Sequence, residues 1–262
     1  MTAGLEHGML VAAVTLLAIA AVLELAARLR GLRPVLPVYL PLTLATLALL
    51  AAIAGRWQRE EQGPFLTLYD VLLSNLFSLA LLFLAAGLMA PLLRSTAAVI
   101  LPFLAALGIW LLLAPAAAEP LPPTFDNPWL WLHVLTGKLF LGLAMLAAGC
   151  AIVALARPGA QADLKAAMWQ LLSLGFVCHS FMLIAGAVWA HSAWGRYWAW
   201  DPLETWAFVT WLAMALLLHA RVTFRRMPDS LARAGVVAIF ALAFLTFFGV
   251  PFISLAPHKG VM

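Results

Sequence analysis

Residues Trp189–Trp211 read WAHSAWGRYWAWDPLETWAFVTW. One apolar run ends in this stretch and another begins, with the compact core Trp194-Gly195-Arg196-Tyr197-Trp198-Ala199-Trp200-Asp201-Pro202 between them. Six of the chain's eleven tryptophans fall here. Two readings fit that density. Indoles settle at the headgroup level of a bilayer, so the stretch can be an interfacial aromatic belt. A belt spreads its aromatics over many helix ends, whereas these are concentrated in one, which favours a platform for a large, flat, apolar ligand. The end of the stretch follows helix grammar. Asp201-Pro202-Leu203-Glu204 supplies an Asp N-cap, a Pro at the first helical position and a Glu at the third, so a helix is predicted to start near Pro202. Capping alone also accounts for the two carboxylates.

Outward from this stretch the chain is apolar almost throughout. It has 262 residues, 65% of them hydrophobic and 10% charged, which excludes a soluble globular domain. The pI near 9.5 fits a nucleic-acid binder in principle. The basic residues, however, sit in short breaks between apolar runs, the pattern of cytoplasmic membrane loops and not of a phosphate-binding stripe. No nucleic-acid partner is expected. Cys150 and Cys178 lie within apolar runs without a CxxC pattern and read as small core residues, so thiol–disulfide chemistry on this chain is not expected. The first apolar run lacks a basic n-region and a cleavage pattern and is expected to be a retained span.

A bilayer core of about 30 Å takes about 20 apolar residues per helix. Eight candidates meet that length, near 7–28, 35–54, 67–90, 96–114, 130–156, 165–190, 203–222 and 231–254. The predicted fold is therefore all-α: a polytopic integral membrane protein of about eight transmembrane helices. It is read as a single membrane domain over 1–262, with a tryptophan-rich extracytoplasmic loop at 191–203. The longest connector, Ala114 to Trp129, is rich in Pro and carries no Lys or Arg. It is expected to run extended.

Loop charge predicts the orientation. Arg28, Arg30, Arg33, Arg94, Arg157, Lys165, Arg221, Arg225, Arg226 and Arg233 collect on one side, against Arg56, Arg59, Arg196 and Lys259 on the other. Ten against four makes the first side cytoplasmic. Both termini and the tryptophan loop are then expected outside, with the whole chain in a cytoplasmic membrane of bacterial or plastid type.

Histidine is costly inside a bilayer and is a common axial ligand of haem iron. His133, at the outer end of the fifth run, and His258, beyond the eighth, share the predicted outer face with the tryptophans. That geometry suits a bis-histidine metalloporphyrin site, and two unrelated interfacial histidines fit it equally. His219 lies fifteen residues beyond Glu204, about 22 Å deeper along a helix rising 1.5 Å per residue. It reads either as a ligand at depth or as an interfacial His among Arg221, Arg225 and Arg226. His179 falls near mid-span, where a hydrogen bond to a neighbouring helix suffices to explain it. His191 and His7 have no distinguishing context.

The segment WGRYWAWDPLETWAFVTWL closely resembles the WGxxWxWDPxExWAxxTWL signature of the CcsA/ResC family, tryptophan-rich membrane components of System II cytochrome c biogenesis. IAGAVWAHSAWG before it fits the same family, FFGVPFISLAPH resembles its terminal FGVNxLGxGLH segment, and Thr67-Leu68-Tyr69-Asp70 resembles its NLYES motif. The terminal segment departs from the pattern at Pro251, Ser254 and Ala256, and again at Lys259-Gly260 after the histidine. The resemblance implies that haem b is passed to an outer site and held there between His133 and His258 as axial ligands. The signature residues Trp194, Trp198, Trp200, Asp201 and Trp206 would form its platform. It implies that His219 ligates haem in transit, with the opposite ligand on a CcsB/ResB-type membrane partner. It also implies a substrate, an apocytochrome c bearing CxxCH, whose thiols form thioether bonds to the haem vinyl groups. Arg196, the one cation of the loop, is then a candidate partner for a haem propionate, or a solvated interfacial arginine.

The function expected is that of the haem-binding subunit of a membrane cytochrome c synthase complex, an enzyme acting with its partner. No residue of this chain is assigned a catalytic role. Two alternatives differ in class: a haem transporter or delivery protein that makes no thioether bond, and a b-type cytochrome subunit transferring electrons. The last normally pairs histidines at matching depths on neighbouring spans, which the sequence does not obviously provide.

Overall fold

The computed structural model describes residues 2–32, 35–63, 66–116, 120, 122–156, 161–224 and 227–250. Within them all regular structure is helical. The long helices are α1 (Ala3–Leu29), α2 (Val35–Glu60), α3 (Leu68–Met89), α4 (Ala97–Leu113), α5 (Pro128–Ala156), α6 (Gln161–Trp194), α7 (Pro202–Thr223) and α8 (Asp229–Phe244). A 3₁₀ stretch, Pro91–Thr96, leads into α4, and α8 runs on as a π-helical turn, Leu245–Gly249. Eight segments are long and apolar enough to cross a membrane, as expected from the sequence. Helices are the open-chain solution in hydrocarbon because every interior backbone group is paired within its own segment.

The chain forms two compact units, Met1–Pro120 and Leu121–Met262. In the first, α1 packs on α2 and α4, α2 on α3, and α3 on α4. Its core is a ladder of fully buried aliphatics that includes Leu10, Leu17, Leu42, Leu49, Leu72 and Leu79. One end of this unit is polar inside. Asp70 accepts from Arg56 Nε at 2.5 Å, Tyr69 Oη donates to Glu6 Oε1 at 3.0 Å, and Arg59 Nη1 pairs with Glu6 Oε2 at 2.6 Å. The Arg56 guanidinium also lies 4.8 Å from the Tyr69 ring centroid. Glu6, Arg56, Tyr69 and Asp70 are all buried. Such charges are tolerated because each is matched; an unmatched one would cost several kcal/mol. The Thr67–Asp70 stretch is a capping box: Asp70 N–H donates to Thr67 Oγ1, and Asp70 Oδ2 accepts from Thr67 N–H. The same carboxylate therefore starts α3 and ties it to α2.

In the second unit α5 lies along α6, α8 packs on α5 and α7, and α6 also meets α7. Small residues allow the close α5–α6 approach: Ala144, Ala147, Ala148, Cys150, Ala151 and Ala154 are all buried. At 34 residues, α6 is roughly 51 Å long at 1.5 Å per residue, well beyond a bilayer core. This corrects the start of the tryptophan loop, expected at residue 191. Nothing breaks the helix before Gly195, whose φ of +73° suits glycine and ends it, with Gly195 N–H donating to the His191 carbonyl at 2.9 Å. The non-helical segment is 195–201, and His191, Ser192, Ala193 and Trp194 ride on the last turn of α6.

Candidate functional site

His133 stands on the second turn of α5 and reaches across to α6. Its Nδ1 lies 2.9 Å from the carbonyl oxygen of Met182. A carbonyl only accepts, so Nδ1 carries the proton, and in the neutral ring the lone pair is on Nε2. Gly186, one turn further along α6, makes room for the ring. A Cβ at this position would sit 2.6 Å from His133 Nδ1, closer than any side chain tolerates. Trp189 continues the same face, its indole stacked at 25° to the imidazole with centroids 6.3 Å apart.

Trp189 is itself held in place. Its Nε1 donates to the Thr124 carbonyl at 3.0 Å, and the Phe125 ring meets it edge-on at 5.3 Å. Thr124 and Phe125 belong to a 3₁₀ turn, Pro123–Phe125, in the proline-rich connector. The connector expected to be merely extended therefore has a local turn that braces α6. Trp194 meets Trp189 at 5.0 Å and 62°. His191 stacks on Tyr197 at 4.3 Å and 15°.

The remaining tryptophans of the segment lie in the loop and on α7. Trp198 and Trp200 cross edge to face at 5.7 Å, and both meet the Phe208 ring at right angles, at 6.3 and 6.1 Å. Phe208 stacks on Trp211, which stacks on Phe176, and Trp211 Nε1 donates to Ser180 Oγ at 2.8 Å. A column of rings thus runs from the loop down the α6–α7 seam. Trp200 is 66% exposed and adopts φ +58°, a left-handed conformation that costs a non-glycine residue about 1–2 kcal/mol. Strain of this kind persists where the surroundings over-determine it. Here the next residue, Asp201, caps α7 by accepting from Glu204 N–H at 2.9 Å. Glu204 Oε2 in turn accepts from Ala199 N–H at 2.7 Å, and Thr205 Oγ1 donates to the Trp200 carbonyl at 3.2 Å. The Nε1 of Trp198 is buried and meets no acceptor among the described residues.

The site residues expected from the sequence thus fall into two groups. His133 and Trp194 belong with Trp189; Trp198, Trp200 and Asp201 belong with Phe208 and the start of α7. Trp206 lies half-exposed on the first turns of α7, and Arg196 is exposed in the loop. His219 is exposed near the end of α7, with Nε2 3.2 Å from Thr223 Oγ1. His258 lies outside the described residues.

Sequence reasoning missed Trp189, Gly186 and Met182 as the group that orients His133. The signal was present in Gly186, since a glycine inside a helix marks a close approach. His179 is buried in α6, stacked on Phe140 at 4.0 Å and 12°, and neither ring nitrogen has a hydrogen-bond partner among the described residues. The helix–helix hydrogen bond expected of it is not formed there.

A polytopic helical protein that presents an oriented histidine beside a bank of indoles is suited to holding a planar, apolar, metal-bearing ligand. The family described as cytochrome C assembly protein matches residues 3–258, and the chain belongs to that family. Among curated relatives, cytochrome c biogenesis protein CcsA of Gloeobacter violaceus is 44% identical over 94 residues, 35% of this chain and 27% of the relative. CcsA of Cuscuta reflexa is 40% identical over 91 residues, 35% of this chain and 29% of the relative. These alignments span less than a third of the relatives' length. A solved structure, cytochrome c heme lyase CcmF, superposes with a TM-score of 0.76 at 20% identity, covering 95% of this chain and 47% of that one. At that identity the likeness is one of fold.

Proposed function

We propose that this chain is the haem-handling subunit of a cytochrome c synthase, holding haem b at an outer site formed by His133 and the tryptophan segment. One observation carries the reading: the His133–Met182 hydrogen bond, which fixes the imidazole and its tautomer with the lone pair on Nε2. Metal-ligating histidines characteristically donate their other ring N–H in this way. The match to the cytochrome c assembly family and the names of the CcsA relatives support it.

The residues fit the ligand. A porphyrin needs an imidazole nitrogen for its iron, flat apolar surface for its faces and donors for its propionates. His133 supplies the first, and Trp194, Trp198, Trp200 and Trp206 the second. Arg196 and Trp198 Nε1, which meets no acceptor among the described residues, supply the third. His258 is proposed as the second axial ligand and His219 as a ligand on the way in, completed by a CcsB/ResB-type partner. The site is proposed to face outward, a reading that the cation bias of the loops supports.

Haem, the substrate, brings vinyl groups that accept thiols: each thiol S–H adds across a vinyl C=C, sulfur to one carbon and hydrogen to the other. The protein's part is to orient the ring, keep it from solvent and leave the vinyl edge open to the CxxCH cysteines of an apocytochrome c.

An absorption spectrum of the purified wild type, with acid–acetone extraction of its chromophore, tests the reading. Extractable haem b whose axial-ligand spectrum changes in His133→Ala is expected. Wild-type spectra from that variant would exclude His133 as a ligand. Normal haem binding without any thioether product, in a complex with partner and apocytochrome, would reassign the chain to haem delivery.

A further inference from the structure

The ends of α6, α7 and α8 away from the Trp189–Trp211 segment line an open cavity of about 410 Å³, formed among others by Lys165, Trp169, Arg221, Phe224, Met227 and Asp229. Its charges are not balanced. Asp229 is engaged by Lys165 Nζ, in a short ion pair, and by Arg233 Nη2 at 3.8 Å from the same helix. Among the lining residues two cations, Lys165 and Arg221, thus stand against one carboxylate. Arg221 is the one left over: among the described residues no carboxylate pairs with it. Its guanidinium instead rests 4.6 Å from the ring centroid of Trp169. Stacking of this kind orients the planar fork and leaves its edge donors directed outward.

The cavity lies where three spanning helices begin or end, the level at which a bilayer changes from hydrocarbon to headgroup. Its flank is apolar and open at Phe224, which is 63% exposed and lies beside Met227 in the lining. A cationic floor with an apolar margin suits an amphipathic anion. The proposed transit ligand does not share this pocket. His219 and Arg221 are two residues apart, about 200° around the helix at 3.6 residues per turn, so they project from nearly opposite sides of α7. A porphyrin bound to His219 would therefore lie on the other side of α7 from the cavity, whose lining does not include His219.

We propose that this cavity binds the phosphate of an anionic phospholipid, gripped by Arg221 with Lys165 as second ligand. The acyl chains would lie along Phe224 and Met227. A zwitterionic headgroup brings its own cation into a cavity that already has an excess of positive charge, so the site selects lipids with net negative heads. Bound lipid would tie the start of α6 to the end of α7 and the start of α8. The proposal is independent of haem binding.

Lipid retention on the full chain, measured by native mass spectrometry from detergent containing equal dioleoylphosphatidylglycerol and dioleoylphosphatidylcholine, tests it. Wild type is expected to retain phosphatidylglycerol several-fold over phosphatidylcholine and to gain Tm with the former alone. Arg221→Gln should bring both ratios close to one, whereas Arg30→Gln, at an exposed helix end elsewhere, should leave them unchanged. If Arg221→Gln does not accumulate, the wild-type comparison decides by itself, and no preference for phosphatidylglycerol overturns the site. Equal stabilisation by millimolar inorganic phosphate would make it a soluble-anion site and overturn the lipid assignment. So would displacement of retained lipid by haem in wild type together with loss of haem binding in Arg221→Gln.

Discussion

His133 Nδ1 donates to the carbonyl oxygen of Met182, 49 residues further along the chain, at 2.9 Å. This bond joins α5 to α6 and sets the direction in which the imidazole presents Nε2. It exists because Gly186 leaves a space that any other residue would fill.

Gly186→Ala therefore tests the site without touching a ligand. The added methyl must displace the ring, and overpacking of this kind costs about 1–3 kcal/mol. Haem occupancy of the purified protein is expected to fall several-fold, with a changed axial-ligand spectrum. Free imidazole should partly restore it by filling the vacated position. Gly8→Ala, where no described residue lies within 4 Å of the added methyl, should behave as wild type. A Gly186→Ala protein with wild-type spectra would show that His133 orientation does not matter to haem.

Trp198 and Trp200 should separate stability from binding. Trp200 is largely exposed and strained, so Trp200→Ala should leave Tm nearly unchanged and still lower haem affinity. Trp198 is half-buried among Trp200 and Phe208, and its replacement by Ala should lower both. Phe should be milder than Ala at each position, since a ring still stacks. At Trp198 a residual loss with Phe would report the missing Nε1–H. Arg196→Ala with unaltered haem binding would remove the propionate role.

The Arg56–Asp70 pair predicts strong coupling. Asp70→Ala leaves a guanidinium buried beside Glu6 and also removes the carboxylate half of the α3 capping box, a loss of about 3–5 kcal/mol. Arg56→Met with Asp70→Leu should be less destabilising than the sum of the single changes, by about 0.5–3 kcal/mol in a thermal double-mutant cycle. Additive effects would mean that the two charges are separately solvated.

His179→Leu should raise stability. A buried imidazole with no partner among the described residues for either nitrogen carries a desolvation cost of about 1–3 kcal/mol per polar group, and leucine removes it while keeping contact with Phe140. A higher Tm with unchanged haem content is expected. Haem lost from this variant would instead make His179 a ligand.

His219 is exposed, so His219→Ala should change stability by no more than about 0.5 kcal/mol. In the complex with its partner, endogenous haem at the outer site should fall. Haem added to the purified variant from outside should refill that site, because His133 is intact. Failure to refill would mean that His219 supports the fold.

The sequence by itself determined what is local. Eight spans follow from apolar length, and the start of α7 at Pro202 follows from Asp201 and Glu204, because helical hydrogen bonds and caps join residues three or four apart. The concentration of indoles in Trp189–Trp211 was legible for the same reason. Only tertiary structure decided that Trp194 belongs with His133 while Trp198 and Trp200 belong with Phe208, since the fate of each ring depends on which helix packs beside it. Only tertiary structure brought Glu6 to Tyr69, 63 residues away, and His133 to Met182. Periodicity gives the face of a helix but not its neighbour. A neighbour is chosen by small residues that let backbones approach and by polar groups that must find one another where water cannot pair them.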